Sequence, residues 1–290
     1  MSAFSVWLSA IRPKTLGLSV SPVLVGTCLA WSEKGDLQIM PALAALLAAM
    51  CIQIGTNLHN DAIDSLKGTD TPDRLGPPRV TALGLLSADA VQRGALIAFG
   101  LAFVLGIYLV AVGGWPILVL GLVSLVAGAA YSGGPWPISA SPLGELFVFL
   151  FFGLGATGGS YYLQTGQLGL SALVSGSMLG LFAAAVLVVN NYRDRQTDAQ
   201  AGRKTLAVLT SPVVSQVEYA LLLLLPFLLL LFLWLQDKIS WPPFLLLLVA
   251  VWLTGQMAFL PVGKVLNRLL AATARFQLVF SLVFCIALFI

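Results

Sequence analysis

Four long stretches of this chain contain no Asp, Glu, Lys or Arg: Thr15 to Ser32, Leu37 to Asn60, Gly94 to Gly144 and Leu146 to Tyr192. A helix of roughly 20 apolar residues crosses the hydrocarbon core of a bilayer, and the two longest stretches hold two crossings each. Backbone N–H and C=O groups find no water there, so each segment must satisfy its own backbone, which a helix does. Only 9% of the 290 residues are charged and 59% are hydrophobic, whereas soluble domains are about a quarter charged. A water-soluble globule is excluded. The expected fold is all-α: a polytopic transmembrane helical bundle enclosing an apolar cavity.

Breaks at Gly, Pro and charge divide the chain into about nine spans, near 15–32, 38–57, 90–112, 116–132, 145–164, 171–191, 213–235, 242–262 and 273–290. No segment between them is long enough to fold alone, so residues 1–290 read as one transmembrane domain. With the N-terminus inside, thirteen of the 15 Lys and Arg residues fall on the inner side. Lys34 and Lys238 are left outside. That asymmetry follows the positive-inside rule and supports both the span count and the orientation, with the charged loops cytoplasmic in a plasma membrane. The start, "MSAFSVWLSAIRPKTLGLSV", places Arg12 and Lys14 before a full-length apolar run, so it reads as a first span rather than a cleaved signal. Cys28, Cys51 and Cys285 lie in apolar segments, against disulfides or a thiolate metal site. Trp31, Trp115, Trp234 and Trp241 fall near outer span ends, where indole rings anchor.

Against this apolar background two polar clusters stand out. "NLHNDAIDSLKGTDTPDRLGPPR", Asn57 to Arg79, carries seven charged residues, and "NNYRDRQTDAQAGRK", Asn190 to Lys204, carries six. Each follows an even-numbered span, so both lie at the same membrane level. Asn60 and Asp64 are four apart, as are Asn190, Asp194 and Asp198. On a helix that spacing sets the side chains along one face. The echo suggests a duplicated unit, with Gly68 in the first copy where the second has Asp198. Charged loops at the inner face of a membrane protein are ordinary. Two with matching Asn-x-x-x-Asp spacing, in a chain of 12 acidic residues, are not.

Clustered carboxylates repel unless they share a cation. Oxygen ligands without His or Cys select Mg²⁺ or a similar ion, which takes one or two carboxylates plus substrate phosphates. The interleaved bases Lys67, Arg74, Arg79, Arg203 and Lys204 suit the remaining phosphate charge. Together with an apolar cavity beneath, these features describe a site for a lipid diphosphate.

At these residues the sequence resembles the UbiA superfamily of intramembrane aromatic prenyltransferases, and within it the branch acting on 1,4-dihydroxy-2-naphthoate. The resemblance rests on "NDAIDSLKGTDTPDRLGPPR" and "NNYRDRQTDAQAGRKTLAV", supported by "IRPKTLGLSVSPVLVGT", "YSGG" and "GELFVFLFFG" running on to "YYLQTG". Lys67, Gly68 and Asp70 satisfy the Lys-Gly-x-Asp pattern of that branch. The Tyr-x-x-x-Lys element of the ubiquinone-type enzymes is absent after Tyr131, and Ala82 stands where relatives often carry Gln. The resemblance implies that Asn60, Asp61, Asp64, Asp70, Asn190, Asp194 and Asp198 bind Mg²⁺, two ions, which hold an isoprenyl diphosphate. Asp64, Asp194, Asp198 and Lys67 are then the catalytic set. It also implies an aromatic acceptor and decarboxylative transfer giving demethylmenaquinol.

Lys14, Tyr131, Glu145, Tyr161 and Gln164 are polar residues in or beside apolar spans and are the candidates for acceptor contacts. His59 lies off the Asn60 face and reads as a helix-end residue. "GLGATGGSYY" has no strand before it, so it reads as close helix packing rather than a nucleotide loop. Arg12, Lys14, Arg268 and Arg275 read mostly as topological charges. Three rival readings are a secondary transporter, whose ion sites lie nearer the midplane, a prenyltransferase for another acceptor, homogentisate or a tetrapyrrole acid, and a catalytically silent homologue serving as a membrane scaffold. The intact carboxylate set speaks against the last. Tail length depends on cavity depth and on where Phe152 and Trp252 point.

Overall fold

The computed structural model describes residues 2–68 and 75–290. Asp70, Asp73 and Arg74 of the first cluster lie outside the described residues.

Twelve α-helices make up the described chain. A short helix, α1 (Ala3–Ile11), precedes the first span and was not foreseen. The spans follow as α2 (Pro13–Lys34), α3 (Ile39–Leu66), α4 (Ala88–Gly113) and α5 (Trp115–Ala130). The fifth span is composite: α6 (Gly144–Phe149), a π-helical turn (Leu150–Gly155) and α7 (Ala156–Thr165). Then come α8 (Leu170–Gln200), the one-turn α9 (Leu206–Leu209), α10 (Pro212–Leu235), α11 (Leu247–Phe259, entered through a 3₁₀ turn) and α12 (Leu266–Ala287). Eight of these segments are long and apolar enough to cross a membrane. The fourth expected span forms the shorter α5, 16 residues, or about 24 Å.

The helices start and stop on local signals. Pro13 and Pro212 sit at first helical positions, where a missing N–H costs nothing. Ser87 caps α4 by accepting the Ala90 N–H at 3.2 Å. α3 and α8 run well past their expected ends at 57 and 191, because nothing in either polar cluster breaks a helix before glycine. Gly68 and Gly202, at φ 64° and 72°, follow the two helices. The departure from the second motif at Gly68 thus coincides with a left-handed turn that a side chain adopts only with strain.

One half of the bundle is solid. α8, α10 and α12 pack through Phe182, Phe227, Phe276, Phe280 and Phe284, with Phe182–Phe280 ring centroids 4.9 Å apart. α11 covers α10 and α12 from outside, and α12 closes the bundle against α2. The other half, bounded by α2 to α8 and one face of α12, is hollow. α6, α7 and α8 approach through glycines, as the Gly-rich stretch implied. A Cβ on Gly153 would meet the Gly176 carbonyl oxygen at 2.5 Å and the Gly180 Cα at 2.6 Å.

Gly153→Ala therefore forces two backbones apart and is expected to cost about 1–3 kcal/mol, as overpacking does. Gly100→Ala on α4, whose Cβ meets nothing within 4 Å, is expected to be neutral or stabilising by up to about 1 kcal/mol. Thermal unfolding of the two variants in detergent compares them directly.

Candidate active site

The hollow half encloses a cavity of about 820 Å³. It runs from the charged helix ends toward the opposite face of the bundle. On α3 the lining residues Ala45, Ala48, Ile52, Thr56 and Asn60 form one helical stripe, small and apolar at one end and polar at the other. On α8, Asn190, Asp194 and Asp198 line it together, as their spacing requires. No lining residue comes from α10 or α11.

At the charged end the two clusters meet. Asp64 is buried and bonded to two guanidinium groups: Arg79 Nη2 donates to Oδ2 at 2.7 Å and Arg203 Nη2 to Oδ1 at 3.0 Å. Arg203 also approaches Asp198 Oδ1 at 3.4 Å, so a single side chain bridges the α3 and α8 ladders. Two loops deliver these arginines. Val80 packs among Val6, Leu58, Ala62 and Val91, anchoring Arg79 beside α3. The Arg203 N–H closes on the Asp198 carbonyl at 2.9 Å and the Lys204 N–H on the Ala140 carbonyl at 2.8 Å, which docks the loop after α8.

Asp194 is held differently. Arg193, only 1% exposed, folds back so that Nε and Nη2 bond Asp194 at 2.7 and 2.5 Å. Nη2 also reaches Asn190 Oδ1 at 2.8 Å, and Nη1 reaches Asn267 Oδ1 on α12 at 2.6 Å. Asn267 in turn donates to the Leu75 carbonyl at 2.8 Å. Arg193 and Asn267 are the residues that sequence reasoning missed. Neighbours in sequence do not face each other on a helix, so nothing in the spacing signals the Arg193–Asp194 pair. Arg12, expected to be topological, lines the cavity at the α1–α2 corner, where Asn57 Nδ2 ties the Ile11 carbonyl and Thr15 Oγ1 to α3.

The donor set fits a hard cation. Asn60, Asp64, Asn190, Asp194 and Asp198 offer oxygen only, and Asn60 Oδ1 is buried beside the cavity with no hydrogen-bond partner among the described residues. Among the described residues no three His, Cys, Asp or Glu side chains group as a metal cage. Mg²⁺ is a hard ion that takes oxygen ligands and habitually shares one or two carboxylates with substrate phosphates.

Several expected residues are not brought to the cavity. Asp61 is buried and accepts from Thr81 Oγ1, off the lining. Lys67 Nζ donates to the Ser132 carbonyl at 3.2 Å outside it. Lys204 is exposed. Of the acceptor candidates, Lys14 and Tyr131 line the cavity and Glu145 stands behind its wall, bonded to Asn191. Tyr161 and Gln164 do not line it. Tyr161 bonds Glu33, and Gln164 exchanges hydrogen bonds with the backbone of Gln38 at 2.8 and 3.0 Å. The two form a polar clasp across the far end of the bundle. Beneath it Val23, Ala45, Leu109, Ile117 and Leu163 pack together and close the cavity. His59 Nδ1 pairs with Gln92 at 2.9 Å, a structural contact as expected. Phe152 lines the cavity, whereas Trp252 is exposed on α11.

The sequence matches the UbiA prenyltransferase family over residues 19–288. It is 37% identical to the 1,4-dihydroxy-2-naphthoate octaprenyltransferase of Escherichia coli (strain K12) over 77% of this chain and 74% of that protein. It is 30% identical to the enzyme of the same name from Haemophilus influenzae over 98% and 96%. Among solved structures, a UbiA homolog from Archaeoglobus fulgidus bound to DMAPP and Mg²⁺ superposes with a TM-score of 0.64 at 14% identity, covering 95% of this chain and 97% of that one. That likeness shows the fold.

Arg193→Ala leaves Asp194 without its buried counter-charge. Breaking a buried pair in this way is expected to cost on the order of 3–5 kcal/mol. Thermal unfolding reads the loss, and Arg193→Lys, lacking the fork, is expected to recover only part of it.

Proposed function

The chain belongs to the UbiA prenyltransferase family, and from that premise we infer that it moves a polyisoprenyl group from its diphosphate to 1,4-dihydroxy-2-naphthoate, with loss of CO₂, giving demethylmenaquinol. The observation that carries this reading is the meeting of the two Asn–Asp ladders, bridged by Arg203, at the mouth of an apolar cavity. The names of the relatives supply the acceptor. We place the charged end on the cytoplasmic side of the membrane, in line with the positive-inside asymmetry.

In this reading Asn60, Asp64, Asn190, Asp194 and Asp198 hold Mg²⁺, two ions, and Asp70 joins them. Bound there, Mg²⁺ supplies positive charge that offsets the charge gathering on the departing diphosphate. Arg79 and Arg203 have a second use. The forks that hold Asp64 match phosphate oxygens equally well, so they pass from carboxylate to diphosphate as donor and metal arrive. The allylic C–O bond breaks and its electron pair leaves with the diphosphate. The new C–C bond takes its pair from the electron-rich ring, and the ring–carboxylate pair returns to the ring as CO₂ departs. Residues of α2 to α8 keep the cavity apolar, which excludes the water that would otherwise capture the allylic carbon.

Purified protein supplied with Mg²⁺, geranylgeranyl diphosphate and either 1,4-dihydroxy-2-naphthoate or homogentisate tests the reading by product mass. The naphthoate is expected to yield a prenylated, decarboxylated naphthoquinol, abolished by chelation. Asp64→Ala and Asp194→Ala are each expected to lower kcat by about 100-fold or more, as loss of one electrostatic contact to a leaving group does. Prenylated homogentisate instead would replace the acceptor and keep the family chemistry. Absence of diphosphate release from any prenyl donor would overturn the whole reading.

A further inference from the structure

Glu145 opens α6, and a carboxylate at a helix N-terminus usually needs no further explanation, since it meets the helix dipole. This one is only 8% exposed. Its Oε1 accepts from Asn191 Nδ2 at 2.7 Å, while Oε2 is buried with no hydrogen-bond partner among the described residues. A dipole partner at the surface keeps its water, whereas an under-satisfied buried carboxylate is costly and marks a special role.

Asn191 connects Glu145 to the cavity. It stands on α8 beside Asn190, is only 6% exposed and is among the residues lining the cavity wall. A carboxylate only accepts hydrogen bonds, so the face of the amide turned to Glu145 must be its NH₂. The amide is thereby prevented from flipping, and its Oδ1 is left on the other side. That oxygen accepts no hydrogen bond from the described residues. A fixed acceptor at the wall of an apolar cavity selects a ligand that carries an O–H.

We propose that Asn191 binds a ring hydroxyl of the aromatic acceptor through Oδ1, and that Glu145 is the positioning residue that holds the Asn191 amide in that orientation. The inference rests on the functional reading above and names the contact that distinguishes a hydroxylated ring from other flat apolar molecules. A buried site built to hydrogen-bond a hydroxyl discriminates strongly against an analogue that lacks it, because its own polar atom is left unpaired. Tyr131 and Lys14, also on the lining, complete a polar rim at the same end of the cavity.

The experiment compares 1,4-dihydroxy-2-naphthoate with its two mono-O-methyl ethers, using wild type, Asn191→Ala, Glu145→Leu and Glu145→Gln in detergent with Mg²⁺ and geranylgeranyl diphosphate. Wild type is expected to prefer the diol to one of the ethers by at least tenfold in kcat/KM. Asn191→Ala and Glu145→Leu are expected to lose most of that preference and to raise the acceptor KM by tenfold or more, with the donor KM within about threefold. Glu145→Gln keeps a carbonyl oxygen for the Asn191 amide and is expected to restore the preference. Where Glu145→Leu does not accumulate as folded protein, Asn191→Ala and Glu145→Gln decide. A preference unchanged in Asn191→Ala, or donor and acceptor KM rising together, overturns the proposal while leaving the prenyl transfer intact. Wild type that releases no diphosphate from any donor fails the functional reading itself.

Discussion

A carboxylate at the edge of an apolar bundle is stable only with a counter-charge within reach, and the charged end of this protein is arranged around that demand. Asp64 lies between Arg79 and Arg203, Arg203 extends to Asp198, and Arg193 clasps Asp194. These pairs tie α3 to α8, and Arg193 carries the link to α12 through Asn267. The network is therefore also the joint that sets the two helix ends at one place. In the proposed function, a diphosphate with its metal offers the carboxylates new cations and the arginines new anions.

The bundle's uneven packing follows from the same division of labour. The aromatic core among α8, α10 and α12 is filled, so it supports the ladder on α8 from behind. The helices facing it line the cavity with small Ala, Gly and Ser residues interspersed among Leu, Ile, Val and Phe, which leaves an apolar space. At the far end the clasp of Lys34, Gln38 and Gln164 above a floor of Val23, Leu109, Ile117 and Leu163 keeps solvent out. Dryness at the reacting end and apolarity along the tail are thus one property, provided by different residues at either end.

The same geometry separates two kinds of polar residue that look alike in a hydropathy profile. Glu145, Tyr161 and Gln164 all interrupt one apolar span. Tyr161 and Gln164 bond across the far face of the bundle, whereas Glu145 backs the cavity wall near the ladders. Nothing local distinguishes them. The π-helical turn at Leu150–Gly155 lies between them and changes the winding of the helix that carries all three, so counting residues along a regular helix does not predict which way each one faces.

The charge-free runs determined the all-α membrane bundle, because hydrocarbon tolerates neither bare backbone nor unpaired charge. The i, i+4 spacing determined that Asn190, Asp194 and Asp198 share one face of α8, and the glycines marked where α6 to α8 meet. These are short-range properties, fixed by helix geometry and solvent. Which arginine serves which carboxylate was decided only in three dimensions. Arg12 and Arg193 read as ordinary inner-face cations until the α1–α2 corner and the contact with Asn267 placed them. The same holds for Asp61 and Lys67, which sit inside the first motif yet turn to Thr81 and Ser132. A side chain's partner depends on helices distant in sequence, and the spacing along one helix carries no record of where those helices pack.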